Sequence, residues 1–378
     1  MDSSYSWHPG AFRLAASWAV PTSLQPDEIL SSWLIRTALA NGCDPLAFVG
    51  VVWPMQRVWA MDLDRQPRAA LLEVLGALSG AAPALLGQAT LLPVARRVLL
   101  ADPPANQSWP WILSVGPRNR RRVGRMQYCP VCLAEDKDPF FRLQWRFAWH
   151  CICVRHGCQL LETCPHCGAS LEPHRAKASD RVDSCTACRE SLWRGAPWHN
   201  ELPSARQLQI ATDNTIKVGQ ATYLGAATSV RAWFAIMAFY VGLVRRTLRP
   251  QTAAMEVFAS RINSEALHDL GFVPLEKLTL RQRTGLLDCV GKLMSMSFDR
   301  LLSELSNTGL SRQALFPDGV PCGSPLLRIA EALPDRRVTR TAPKRFSSGI
   351  GQFRPRSQRE VDRMMKALHR RTALASDT

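Results

Sequence analysis

Eight residues with the chemistry of metal ligands fall into four pairs, each with two intervening residues: Cys129/Cys132, Cys153/His156, Cys164/Cys167 and Cys185/Cys188. A C-x-x-C turn presents two sulfurs on one tight knuckle, and two knuckles face to face make the closed tetrahedral site that zinc favours. The order implies a site of three cysteines and one histidine, then a site of four cysteines. Roughly 20 residues separate the first two knuckles and roughly 17 the last two, lengths typical of zinc ribbons closed by a hairpin. A cross-braced arrangement would use the same residues, so spacing leaves the pairing open. Both ligand sets are complete, with no position left for water, so the two Zn2+ ions are expected to be structural. Cys151 and Cys158 flank the second knuckle as packing or spare thiols, because Cys151 to His156 is a wider and less usual clip. His150, His166 and His174 are read as surface residues or as supports behind the ligands.

The chain must position these knuckles and meet a partner. Its 47 Lys and Arg against 31 Asp and Glu give a formal charge of +16 over 378 residues, which points to a polyanionic partner, most simply nucleic acid. The N-terminus has no basic n-region, and Ala11 to Val20 is interrupted by Arg13, so no signal peptide is expected. The most apolar run, Ala232 to Val244, is shorter than the roughly 18 to 20 residues that span a bilayer and reads as a buried helix. A reducing cytoplasm, with no membrane partner, is the expected setting for the thiols.

The length predicts several domains, and the pattern gives a mainly α multidomain chain. Residues 1–110 read as an N-terminal helical, helix-turn-helix-like domain, and 111–200 as a small β-containing double zinc-finger module. Residues 201–334 read as a C-terminal helical domain with a possible helix-turn-helix, and 335–378 as a basic arm and terminal helix. Near the N-terminus, Pro26 with Asp27 and Glu28 marks a first helical turn, Leu30, Trp33, Leu34 and Ala38 repeat at helical spacing, and Asn41-Gly42 ends the helix. Leu71, Leu72, Leu75 and Leu78 share a face before Gly80, and Pro83 to Leu86 forms a second short helix. In the module, Phe141, Leu143, Trp145, Phe147 and Trp149 alternate as in a half-buried strand, with Arg142, Gln144 and Arg146 on the other side; the strand is placed from Phe147 onward. Further on, Ser229 to Arg246 is a long apolar helix, and Thr279 caps another.

Candidate nucleic-acid contacts lie in three places. Arg118, Arg120, Arg121, Arg122 and Arg125 crowd ahead of the first knuckle, either as a solvated face or as phosphate contacts held by a rigid module. A helix at Phe298 to Leu305, a turn at Asn307 to Gly309 and a helix capped by Ser311 form the helix-turn-helix candidate. Arg312 and Gln313 open its second helix, where side chains reach base edges. Arg336, Arg337, Lys344 and Arg345 belong to the basic arm, and Ser357 with Glu360 then opens an amphipathic terminal helix.

The run Tyr128-Cys129-Pro130-Val131-Cys132-Leu133-Ala134-Glu135-Asp136, then Phe140 to Arg146, Cys153-Val154-Arg155-His156, Leu160 and Cys164-Pro165-His166-Cys167-Gly168 resembles the TniQ family. The likeness extends upstream to Pro26 through Arg36 and Ala40-Asn41-Gly42, covering roughly the first half of the chain. The resemblance implies a target-site selector of bacterial transposons that also carry an AAA+ ATPase and an integrase-type transposase. The expected partners are therefore DNA and the AAA+ transposition ATPase, with a guide-RNA effector complex or the transposase as further possibilities; homodimerisation is left open. Such a protein would be cytoplasmic and nucleoid-associated when bound to DNA. No nucleophile elbow, Walker lysine loop, carboxylate cluster of the transposase type or Rossmann glycine pattern is present, so no enzyme is expected. The alternative is a zinc-containing DNA-binding transcription regulator without transposition partners.

Overall fold

A computed structural model describes residues 17–335, except 55–57, 61, 66, 105–107, 116–125, 195–201, 265–266, 268–269, 271–272, 318 and 321–323. The chain divides into two units, Met1–Arg336 and Arg337–Thr378, and the second lies outside the described residues. The described part is mainly helical, with one two-stranded sheet. None of its helices is long and apolar enough to cross a membrane.

Helix α1 (Leu30–Ala40) buries Leu30, Trp33, Leu34 and Ala38 and ends at Asn41, with Gly42 at φ 69°. It starts later than Pro26 predicts. Glu28 is drawn back to Arg36 at 2.6 Å and to Ser32 at 2.9 Å, and Asp27 takes a positive φ of 61°, so the chain turns before the helix begins. The first helical N–H groups, which have no partner inside the helix, are satisfied from afar. Ile29 N donates to Phe141 O, Leu30 N to Ala89 O, and Ser31 N to the Asp64 carboxylate at 2.7 Å. Helices α2 (Pro45–Val52), α3 (Ala69–Ser79), α4 (Pro83–Gln88) and α5 (Leu92–Val98) complete this part, and Gly80 at φ 74° closes α3 as expected.

The ligand-bearing stretch contains helix α6 (Pro130–Glu135), several 3-10 turns and isolated bridges in place of strands. The strand expected from Phe147 does not form: Phe147 bridges only to Ile112, and Leu143–Arg146 is a 3-10 turn. Alternation did locate the stacked pair Phe147 and Trp149, whose ring centroids lie 4.5 Å apart. The opposite side is packed rather than open to solvent. Arg146 is 1% exposed and donates to Asp64 at 3.0 Å, to Asp62 at 2.5 Å and to Leu113 O. A guanidinium buried among these acceptors fixes the turn that delivers it.

Helix α7 (Pro203–Val218) leads into a hairpin of β1 (Gln220–Tyr223) and β2 (Ala226–Ser229), paired antiparallel with Tyr223 opposite Ala226. Leu224 and Gly225 both have positive φ, the requirement of a two-residue hairpin turn. Helix α8 (Val230–Thr247), capped by Ser229, buries Trp233, Phe234, Met237, Tyr240 and Val244. After α9 (Ala253–Arg261), helix α10 (Leu280–Met294) opens on a capping box of Thr279 and Gln282. It crosses α7 so closely that a Cβ on Gly291 would lie 2.3 Å from Ser204 O. Helices α11 (Phe298–Asn307), α12 (Arg312–Leu315) and α13 (Leu327–Ala332) end the described chain.

Candidate metal centres

The knuckles pair in sequence order. Cys129, Cys132, Cys153 and His156 form one group whose ligand atoms all lie within 4.8 Å of one another, and Cys164, Cys167, Cys185 and Cys188 form the other. Each knuckle is shaped by its backbone. Cys129 caps α6, its Sγ accepting from Cys132 N at 3.4 Å, with Pro130 at the first helical position. The other three each close with an N–H from the residue four further on: Gly157 to Cys153 O, Gly168 to Cys164 O, and Arg189 to Cys185 O. All three closing residues have positive φ, which glycine adopts without cost and Arg189 does not.

The donors fit a tetrahedral ion. Metal–sulfur bonds of about 2.3 Å and metal–nitrogen bonds of about 2.0 Å give edges near 3.8 Å between sulfurs and near 3.5 Å from sulfur to nitrogen. Cys132 to Cys153, Cys164 to Cys188 and Cys167 to Cys185 are each 3.7 Å apart. His156 Nδ1 is 3.4 Å from the sulfurs of Cys129, Cys132 and Cys153. The first group is nearly enclosed, whereas Cys167 and Cys188 in the second are exposed.

Behind His156 stands Glu135, the last residue of α6, whose Oε2 lies 2.9 Å from Nε2. The carboxylate holds the Nε2 proton, leaving the Nδ1 lone pair to face the three sulfurs. Sequence reading missed this residue, although an acid at the end of a one-turn helix beginning at a ligand was visible. Of the two extra thiols, Cys158 is buried with its Sγ 3.4 Å from Cys129 Sγ, and Cys151 is buried against Arg283 and Thr284. His150 accepts from Gln209 at Nδ1 and meets Asp213 through Nε2 at 2.8 Å; His174 stacks on Trp59; His166 is exposed.

The clusters are tied to helices on both sides. Arg146 pins the module to Asp62 and Asp64. Gln209 of α7 accepts from Cys151 N and Ile152 N and donates to Ile152 O. Asp213 accepts from Trp149 as well as from His150, and Glu162 accepts from Leu280 N at the head of α10.

Of the expected nucleic-acid contacts, Arg118, Arg120, Arg121, Arg122, Arg125, Arg336, Arg337, Lys344 and Arg345 lie outside the described residues, as does the terminal helix. Arg312 and Gln313 open α12 after a Ser311 cap, as expected, but α12 is a single turn and Gln313 Nε2 donates to Asp335.

Fold and donors together define a helical protein built around two four-donor clusters able to bind metal. The TniQ family model matches residues 20–160, which places this stretch of the chain in the TniQ family. The matched stretch spans α1 to α6 and all of the first cluster. No curated protein matches the chain.

Proposed function

We propose that the protein is a non-catalytic target-site selector for DNA transposition. It would link target DNA, or a targeting complex, to an AAA+ transposition ATPase and so to the transposase. The TniQ match supports a transposition-associated role in target-site selection in general. What carries the adaptor reading is that the matched stretch ends in a cluster whose four donors close on one another and whose fourth ligand is braced by Glu135, a design for holding shape. The eight ligands are assigned to two structural Zn2+ ions, zinc being the ion that a closed set of thiolates and imidazole favours. Bound zinc would supply a rigid crosslink within each cluster. Segments 1–110, 111–200, 201–334 and 335–378 then divide the labour: partner contact, brace, helical body and basic arm. Arg118 to Arg125, Arg312, Gln313 and the arm residues would meet DNA.

The test is a pull-down with the ATPase encoded beside the gene, with and without duplex DNA. Retention of the ATPase, two zincs per chain and no hydrolysis of DNA or nucleotide by the protein alone are expected. DNA binding without ATPase retention would favour the transcription-regulator alternative.

A further inference from the structure

Four exposed cations come together at one place that no single stretch of sequence reveals. Arg96 and Arg97 end α5, Lys217 ends α7, and Arg231 sits in the first turn of α8. The packing of these three helices brings the four cations together. Arg97 Nη2 donates to the carbonyl of Ile216, next to Lys217, and Arg231 Nη2 donates to the carbonyl of Arg96 at 3.2 Å. All four residues are exposed. Among the described residues none of them has an acidic partner, whereas Arg142, Arg146, Arg155, Arg181 and Arg261 all do. The first turn of α8 holds no acid either. Asp213, one turn before Lys217, is already occupied by Trp149 and His150.

Four cations carried on adjoining helix ends repel one another unless an anion lies across them. Three of the four are guanidiniums, whose planar donors suit phosphate oxygens. Backbone carbonyls hold two of them in place, so little side-chain freedom remains to be lost on binding. Among the described residues the only aromatic among the exposed large hydrophobic ones is Trp193, beyond the last knuckle, so the patch itself presents no exposed ring for a splayed base to stack on. We propose that Arg96, Arg97, Lys217 and Arg231 form a sequence-independent contact to the phosphate backbone of duplex DNA. This rests on the reading of the protein as DNA-engaging and is independent of the ATPase.

The experiment compares full-length, metal-loaded proteins by fluorescence anisotropy on a short duplex of arbitrary sequence, over a salt series. The variant Arg96→Glu/Arg97→Glu/Arg231→Glu is set against Arg68→Glu/Arg281→Glu/Arg300→Glu, which makes the same change in net charge at exposed sites elsewhere. The patch variant should bind more than about tenfold more weakly, and its slope of log affinity against log salt should fall by roughly 2.7, about 0.9 for each lost phosphate contact. The control should keep its affinity within about threefold of the parent and its salt slope unchanged. Circular dichroism and metal content establish that each variant is folded. Equal losses in both variants would overturn the patch, since net charge alone would explain them. Unchanged binding by the patch variant would overturn it while leaving DNA engagement standing; no DNA binding by the parent would overturn both. Tighter binding to single-stranded DNA or to an RNA duplex would also overturn it, as would a patch variant that loses only the ATPase.

Discussion

Individual side chains decide how firmly the first cluster would hold a metal ion. Glu135 fixes His156 by one hydrogen bond at 2.9 Å, and losing such a support typically weakens metal affinity about 10- to 100-fold. Glu135→Gln should show that loss in chelator competition while the cysteine-only cluster keeps its affinity. Arg146 is the fully buried partner of two acids. Arg146→Met strands both, and the expected cost is about 3–5 kcal/mol in urea unfolding. Asp64 adds a pH dependence of its own. Burial pushes its carboxyl up from 3.8 to about 6, with Arg146 opposing the rise and Asp62 adding to it. The folded chain therefore holds this proton more tightly than the unfolded chain does. The group's contribution to stability is full below about pH 4 and is lost as the pH rises through 6. Asp64→Asn should remove that part of the stability profile when unfolding is followed across this range.

Elements fit together through close approaches that a larger side chain would block. Gly291→Ala drives a methyl into the backbone of Ser204 where α10 meets α7, and overpacking of this kind costs about 1–3 kcal/mol. Gly242→Ala on α8 meets nothing within 4 Å and should leave the melting temperature unchanged or raise it. Arg189→Gly relieves a left-handed residue that costs roughly 1–2 kcal/mol, so this variant should melt higher with its metal content unchanged. Helices with marked ends were legible in the sequence, because caps act locally: Thr279 and Ser311 cap where they were expected to. The start of α1 was not legible, since its N–H groups are satisfied by Asp64 and Ala89, which are distant in sequence. The strand at Phe147 failed for the same reason, because Arg146 turns toward acids that no local pattern announces. The hairpin at 220–229 was absorbed into a helical stretch although Leu224-Gly225 supplied a turn signal.

At the scale of the whole molecule, the four Cys/His pairs were readable because short, fixed spacings suited to metal coordination stand out in a sequence; their order implied sequential pairing, and the fold groups them in that way. The basic patch was unreadable because its residues come from three separate segments. Stripping metal from both clusters should therefore do more than loosen the knuckles. A structural zinc, if bound in each cluster as proposed, would supply on the order of 10 kcal/mol of folding free energy, and Gln209, Asp213 and Glu162 tie the clusters to α7 and α10. Chelation is expected to raise hydrogen exchange in those helices together with the cluster segment.

The two acids at Asp62 and Asp64 leave the ribosome long before Arg146, the residue that neutralises them in the finished protein. During synthesis the early helices thus lack the guanidinium that spans both acids, and Ile29 N–H lacks its Phe141 carbonyl acceptor. A chain released at residue 110 should accordingly stay protease-sensitive, and supplying residues 111–200 in trans should protect it.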